Sequence, residues 1–408
     1  MSKPGPCRLF ISLGRSPQCS SSALSVLDDP FHPFGGLPVE LNGSLRRPWM
    51  ATVPGRFKGS KQAVGRCGGA EEQNAGHAGG GTVAATGSGE VTDMSSFSCP
   101  LGRYRFEWRV RTPLRLPEYS GSALRGSFGA ALRRLGCTAR QPECTGCMRI
   151  HSCPYATIFE TPPPKKTADQ SMAAVVPHPY VIEPPPWGRQ FFEPGETLVF
   201  HLILAGRALE QWPLVVLAWQ QALAKGVGSG MGRADLQRII WEGGAGATTV
   251  FTADEGTLHL HAAQVWVPPW PGGDRLTLEL LTPIRIQKEG KPLGPGRLHP
   301  RDFLVTLMRR VSQMARIHCD HPWPMDPVTL ARSAQEITSH GNLSWRDWTR
   351  RSSRQGRNMA LGGVVGHWTL VGDLRPFWEL LYLGEWLHVG KNATFGLGGY
   401  RLRRGENG

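Results

Sequence analysis

A histidine and a lysine stand at the mouth of a glycine-rich segment near the C-terminus. His388 precedes Gly390 and Lys391 follows it, in a stretch that continues through Gly396 and Gly398. Glycines let a backbone approach a phosphodiester closely, lysine supplies a positive charge, and histidine exchanges protons near neutral pH. The segment therefore predicts a phosphate-binding loop with His388 in an acid–base role. The alternative is that His388 only ends a helix and stabilises its negative C-terminal pole.

This segment differs from a nucleotide-binding P-loop. Residues 384–392 approach that motif, but the spacing is one residue too long and Asn392 replaces the required serine or threonine. We therefore expect no nucleotide cofactor.

A second segment combines tryptophans with arginines. Trp345 and Trp348 alternate with arginines in residues 345–357. Indole rings stack on bases and guanidinium groups pair with phosphates, so this composition favours RNA binding over a plain basic loop. The arginines expected to bind are Arg346, Arg350, Arg351 and Arg354.

Four cysteines have the spacing of metal ligands. Cys137, Cys144, Cys147 and Cys153 follow the order C-x6-C-x2-C-x5-C, with His151 between them as a spare ligand. In an intracellular chain, four soft ligands so close together favour a structural, tetrahedral zinc over disulfides. An iron–sulfur cluster and a partly degenerate site are the alternatives. The remaining cysteines show no pairing pattern: Cys7, Cys19, Cys67, Cys99 and Cys319.

The charge balance favours a polyanionic partner. Lys and Arg number 46 against 32 Asp and Glu, which gives a net charge of +14, and residues 1–93 supply little of it. A basic body of this kind is typical of nucleic-acid-binding proteins, although arginine-rich, GC-biased genomes also produce basic chains. There is no secretory signal pattern and no apolar run long enough to span a membrane, so we expect a cytoplasmic protein without membrane association.

The first 93 residues differ from the rest of the chain. Residues 1–93 are dominated by Gly, Ser, Pro and Ala, without a period of 2 or 3.6. Such a segment cannot bury enough apolar surface to offset its chain entropy, so it is predicted to be disordered. Met94 stands just before the pattern changes. A start of the natural protein at Met94, with residues 1–93 a mis-annotated extension, is the other interpretation.

Regular structure begins with a strand and a helix. Residues 103–111 alternate, with Tyr104, Phe106 and Trp108 on one side and arginines on the other, as in a strand with one buried face. Apolar residues then recur at helical spacing from Leu124 to Leu135, after Ser122 as N-cap. Arg125 and Arg133 lie on the opposite side of that helix.

The element order predicts two α+β units. Strands at 196–205 and 235–241 and a helix at 213–225 complete the first unit, which a glycine-rich loop at 226–233 interrupts. The second unit has strands at 276–282 and 364–371 and helices at 303–317 and 376–387. Prolines at 162–164 and 177–186 predict an extended surface loop.

We therefore predict an α+β protein of tandem ferredoxin-like, RNA-recognition-like domains. The first covers residues 94–262, with the Cys-rich insertion at 137–153. The second covers residues 263–408, with the glycine-rich loop at 390–399.

Three motifs resemble one protein family. Residues 121–129 are similar to the "GS-x-LRG-x-FG" opening of the RAMP superfamily, the repeat-associated proteins of CRISPR systems. Residues 384–398 resemble the C-terminal motif of the branch that processes CRISPR precursor RNA, and residues 362–366 resemble its "GG-x-x-G". The four cysteines are similar to a cluster found in that branch. The resemblance covers about residues 100–403.

The resemblance implies an endoribonuclease that cuts CRISPR repeat RNA in a precursor transcript. In this family a 2′-hydroxyl attacks the adjacent phosphate without a metal and leaves a 2′,3′-cyclic phosphate. Many members carry a histidine on the first helix, but residues 121–135 contain none. Catalysis is therefore assigned to His388, Tyr119, Arg125 and Lys391, and RNA binding includes Arg133 and the loop glycines.

Two other functions remain open. A non-cleaving RAMP subunit would hold guide RNA among other CRISPR-associated effector subunits, because such subunits share the opening motif and the glycine loops. A zinc-containing transcription factor would prefer duplex DNA and leave RNA intact.

Overall fold

The computed structural model describes residues 99–163, 176–243, 246–319, 322–324, 326–351 and 358–403. Residues 1–93, predicted to be a disordered or mis-annotated extension, lie outside this part of the chain.

The first half of the fold is built around one antiparallel sheet. Its elements are β1 (Leu101–Val110), β2 (Leu114–Arg115), α1 (Gly121–Gly136), α2 (Pro154–Phe159), β3 (Tyr180–Glu183), β4 (Phe191–Phe192), β5 (Thr197–Ala205), α3 (Arg207–Glu210), α4 (Trp212–Lys225), β6 (Ala234–Gly243) and β7 (Gly246–Thr252). The strand order is β3-β5-β1-β6-β7. The sequence β1-α1-β3-β5-α4-β6, with first and last strands adjacent, is a ferredoxin-like unit.

The second half repeats this topology. Its elements are β8 (Arg275–Ile284), β9 (Gln287–Lys288), β10 (Lys291–Pro292), α5 (Pro300–His318), α6 (Pro327–Ser333), β11 (Thr338–Arg346), β12 (Thr349–Arg351), β13 (Asn358–Ala360), β14 (Gly363–Val371), α7 (Trp378–Leu387) and β15 (Tyr400–Arg403). The order β11-β14-β8-β15 again sets the first and last strands side by side. The predicted tandem ferredoxin-like fold is confirmed.

The alternating pattern of β1 creates a core on one side of the first sheet. Tyr104, Phe106 and Trp108 are at most 1 % exposed, and they pack beneath α1 and α4. Phe128 of α1 stacks on Trp219 of α4 with ring centroids 4.7 Å apart. The helix starts slightly earlier than predicted, because Ser120 rather than Ser122 occupies its N-cap position.

The opposite face of this sheet joins the two halves. Leu101, Val181 and Ile203 point away from α1 and α4 and belong to the same buried cluster as Leu278 and Phe303 of the second half. Further along the strands this face becomes polar. One face of the first sheet therefore anchors the second half at one end and leaves charged side chains at the other.

One element corrects the prediction. The proline-rich passage at 177–186 was predicted to be a surface loop, but its centre forms the buried edge strand β3, which pairs with β5. The prolines lie outside Tyr180–Glu183, and an edge strand tolerates proline at its ends because one row of its amides needs no partner in the sheet.

No helix in the described ranges is long and apolar enough to cross a membrane.

Candidate functional site

A cavity of about 720 Å³ opens between the outer face of the first sheet and the C-terminal elements of the second half. Both halves contribute charged and polar side chains to it. We call this cavity the cleft and define it by Arg103, Glu183, His201, Thr282, His388 and Arg401.

His388 enters the cleft directly after α7 and is only 3 % exposed. Its φ of 59° lies in the left-handed region and ends the helix. Ring Nδ1 lies 3.2 Å from the carbonyl oxygen of Leu397, and Nε2 lies 3.1 Å from Oε1 of Glu183. Because both neighbours are acceptors, the arrangement suits an imidazolium that donates from both nitrogens. In this conformation neither nitrogen is free to exchange a proton with a ligand.

Glu183, at the end of β3, is the acidic partner of this histidine. Burial by itself raises the pKa of the Glu183 carboxyl, but the hydrogen bond from His388 and the charge of Arg103 outweigh it and lower the pKa to about 2. Nη2 of Arg103 lies 2.6 Å from Oε2 of Glu183. The three side chains form a charge network that links both halves across the cleft.

The glycine-rich loop between α7 and β15 packs tightly against the protein itself. Gly396 and Gly398 are buried and have φ values of 85° and 78°. A Cβ on Gly398 would lie 1.9 Å from the carbonyl oxygen of Val389, and one on Gly396 would lie 2.4 Å from that of Ile182. Close contacts within the chain therefore require both glycines, and Gly396 also lines the cleft.

Gly390 and Lys391 begin this loop. Gly390 has a φ of 84°, and its Cβ would lie 2.6 Å from the carbonyl oxygen of Arg285. The backbone N–H of Lys391 donates to the same carbonyl at 2.9 Å, while the lysine residue is exposed. Of the predicted pair at the loop, only His388 lines the cleft.

Tyr119 lines the cleft and belongs to an aromatic cluster. It is 2 % exposed, and its hydroxyl donates to the carbonyl oxygen of Phe395 at 2.9 Å. The rings of Trp187 and Trp348 lie 4.7 and 4.9 Å from the Tyr119 ring. Burial, together with the charge of Glu183, raises the pKa of Tyr119 well above its ordinary value, so the hydroxyl stays protonated. Its contacts make Tyr119 a support for the two tryptophans.

Two arginines converge on the ring of Phe395. The guanidinium carbon of Arg125 lies 5.3 Å from the ring centroid and that of Arg350 lies 5.1 Å from it. Arg125 also donates from Nε to the hydroxyl of Tyr180 at 2.9 Å. Burial, and to a lesser extent the charge of Arg125, lowers the pKa of Arg350. Since neither arginine forms an ion pair with a carboxylate in the described part of the chain, the pair suits an anionic ligand.

The other predicted RNA-binding arginines are distributed differently. Arg346 lies over the ring of Trp187, at 5.2 Å from its centroid, and so extends the aromatic cluster. Arg133 instead donates to the carbonyl oxygens of Gln141 and, at 2.6 Å, Pro142 in the Cys-rich insertion. Arg354 and the side chain of Arg351 lie outside the described residues.

The four predicted metal ligands line one small cavity next to α1 and α2. Burial, and then the charge of Glu160, raises the pKa of the Cys144 thiol. Within the ranges the structure describes, no three His, Cys, Asp or Glu side chains are arranged to hold a metal ion. Four cysteine sulfurs are a donor set that suits zinc. In the described structure Cys137, Cys144, Cys147 and Cys153 lie around one cavity, but their sulfurs are not arranged as the ligands of one metal ion.

Sequence reasoning missed His201. It lies on β5, pairs in register with Glu183 of β3 and lines the cleft. Its Nε2 is 3.4 Å from Oε1 of Glu242 on β6. The available signals were the row of arginines on one side of β1 and the break that His201 makes in an apolar run, but only the strand order brings the charged groups together.

Comparison with known proteins agrees with the two-part architecture. Residues 278–400 match the family model described as "CRISPR-associated endoribonuclease Cas6", and residues 98–263 match the AF_1859_N model, described as an N-terminal domain. An uncharacterized protein of Archaeoglobus fulgidus is 23 % identical over 328 residues, which are 76 % of this chain and 99 % of that protein.

The solved structures that resemble this chain have lower sequence identity to it than the Archaeoglobus fulgidus protein has. A Cas6 product complex is 17 % identical with a TM-score of 0.46, over 74 % of this chain and 99 % of that one. A partial Cas6-RT-Cas1–Cas2 complex is 15 % identical with a TM-score of 0.44, over 77 % of this chain and 47 % of that one. Along the second ferredoxin-like half, this chain is therefore similar to the family described as CRISPR-associated endoribonuclease Cas6.

Proposed function

We propose that this protein is a metal-independent endoribonuclease that cuts CRISPR repeat RNA in precursor transcripts and so produces guide RNAs. The observation that carries the proposal is the Arg125 and Arg350 pair around Phe395, next to the aromatic cluster and the cleft. Two guanidinium groups without carboxylate partners in the described part of the chain are suited to a phosphodiester, and half-buried indole rings are suited to the flanking bases.

The chemistry requires no redox change. The 2′-oxygen of one nucleotide attacks the adjacent phosphorus, the bond from phosphorus to the 5′-oxygen of the next nucleotide breaks, and a 2′,3′-cyclic phosphate and a 5′-hydroxyl result. The proton of the 2′-hydroxyl passes to a base and the leaving 5′-oxygen receives a proton. Cations around the phosphate stabilise the charge that develops on it. Arg125 and Arg350 supply this charge, and the exposed Lys391 adds to it.

A non-cleaving RNA-binding subunit is the second candidate function. It is favoured by one observation, the engagement of both His388 ring nitrogens by Leu397 and Glu183. In that case the same surface holds guide RNA among other CRISPR-associated subunits. Both candidates require a cytoplasmic protein with RNA as its partner.

Cleavage of labelled repeat RNA distinguishes the two functions. Purified protein is incubated with 5′-labelled repeat RNA in excess EDTA, and the products are separated beside an alkaline ladder. The enzyme gives one cut per repeat with a cyclic phosphate end, and a single 2′-deoxy substitution at the cut nucleotide abolishes it. Tight binding of the RNA without any cut would reject the endoribonuclease function and support the function of a non-cleaving RNA-binding subunit.

A further inference from the structure

We propose that His201, oriented by Glu242, is the general base of the cleft, a role that the sequence motifs gave to His388. The inference rests on the proposed ribonuclease function and identifies the side chain that takes the proton from the attacking 2′-hydroxyl.

A general base needs a ring nitrogen that is free to reach the substrate, and His201 has one whereas His388 does not. It lines the cleft, and its side chain is 25 % exposed, against 4 % for that of His388. Its Nε2 faces Oε1 of Glu242 at 3.4 Å, while its Nδ1 has no hydrogen-bond partner among the described residues. A base must have one nitrogen free to reach the substrate, so His201 alone of the two qualifies.

Glu242 selects the tautomer that a base needs. The hydrogen bond from His201, together with the charge of Arg103, lowers the pKa of the Glu242 carboxyl against the opposing effect of burial. An ionised carboxylate accepts a hydrogen bond from the N–H at Nε2, which keeps the proton on Nε2 and leaves the lone pair of Nδ1 available. Nε of Arg103 lies 3.7 Å from Oε2 of Glu242 and also donates to Glu183, so the carboxylate is held in position. A carboxylate that orients a histidine in this way is a recurring catalytic arrangement.

The remaining groups of the cleft match a ribose-phosphate. Arg401 lines the cleft and forms no ion pair within the part of the chain that is described. The ring of Trp187 lines the same cavity and offers a stacking surface. In the reaction, Nδ1 of His201 takes the proton of the 2′-hydroxyl, the 2′-oxygen bonds to phosphorus, and the departing 5′-oxygen takes a proton from solvent water.

The test compares three histidines in the full-length protein. Single-turnover cleavage of repeat RNA is measured for the wild type, His201→Ala, His388→Ala and His367→Ala, the last an exposed histidine of β14 outside the cleft. We expect His201→Ala to slow cleavage by about 100-fold or more while the Kd for uncut RNA changes little, since general base catalysis is worth on the order of 10² to 10⁴. His367→Ala keeps the wild-type rate.

Two further measurements separate catalysis from a folding defect. Added imidazole restores cleavage by His201→Gly toward the wild-type rate, because a free base enters the space left by the ring. Glu242→Gln slows cleavage about 10-fold or more with unchanged RNA affinity.

If the wild type cuts and His201→Ala cuts equally fast, the inference fails and the ribonuclease function stands. If His201→Gly loses activity and imidazole does not restore it, His201 has a structural role and the inference is also rejected. A wild type that binds repeat RNA without cutting it overturns both proposals.

Discussion

Nε2 of His388 and Oε1 of Glu183 lie 3.1 Å apart, which ties the segment after α7 to strand β3 of the other half. Removal of His388 takes away one of the two cationic partners of Glu183, which keeps Arg103, while Glu183→Gln removes the ionic acceptor of the buried His388 ring. We expect each substitution to lower the free energy of unfolding by about 1 to 3 kcal/mol. A double-mutant cycle in urea measures the coupling, and independent effects of the two substitutions would contradict the ion pair.

The same pair predicts how stability depends on pH. The pKa of Glu183 is lowered in the folded protein to about 2, so its contribution is present above the ordinary carboxyl pKa of about 4.5 and is lost as the pH falls toward 2. Thermal unfolding between pH 6 and pH 2.5 should show a steeper loss of Tm for the wild type than for Glu183→Gln. Parallel curves for the two proteins would show that Glu183 does not titrate in this way.

Arg350 should act through phosphate contact. Replacement of Arg350 by alanine removes one of the two guanidinium groups around Phe395. We expect weaker binding of repeat RNA and a salt dependence whose log–log slope falls by about 0.7, as for one lost contact to a single strand. Arg332→Ala, an exposed arginine of α6, is the matched control and should keep the wild-type slope. An unchanged slope for Arg350→Ala would remove this pair from the RNA interface.

The cysteine cluster predicts a bound metal with a structural role. Four thiolates leave no open position for a water, so a metal held there would stabilise the insertion at residues 137–153 and take no part in catalysis. Metal analysis of purified protein should find about one zinc per chain, and Cys144→Ser with Cys147→Ser should lose it and lower the Tm. Visible absorbance and bound iron would identify an iron–sulfur cluster instead. Protein free of both metals at full stability would indicate a degenerate site.

Gly398 should be the least replaceable residue of the C-terminal loop. Its φ is 78° and a Cβ would lie 1.9 Å from the carbonyl oxygen of Val389, a main-chain atom that cannot move aside. We expect Gly398→Ala to destabilise the protein by several kcal/mol, or to prevent soluble expression. Gly126→Ala is the control: Gly126 lies within α1 with no atom near a new Cβ, and the substitution should add about 0.5 to 1 kcal/mol. Equal behaviour of the two variants would contradict the close packing of the loop.

The sequence by itself determined the local elements and their order. The period-2 alternation of β1 and the helical spacing from Leu124 to Leu135 are short-range patterns that report which face is buried. Because each half contains the same succession of strands and helices, the tandem ferredoxin-like fold followed from the sequence. Tyr119, Arg125 and Arg350 were each selected by residue type, but their convergence around Phe395 depends on contacts between distant segments that no local pattern encodes.

Only the tertiary structure decided which distant residues meet. Glu183 lies in a proline-rich passage, and its pairing with His388 depends on β3 closing the edge of the first sheet. Cys99 and Cys319 showed no pairing pattern, yet a disulfide joins them across 220 residues. His201 and Glu242 meet because β5 and β6 lie on either side of β1. A local sequence pattern carries no information about the order of strands in a sheet or about which element packs against each face of it.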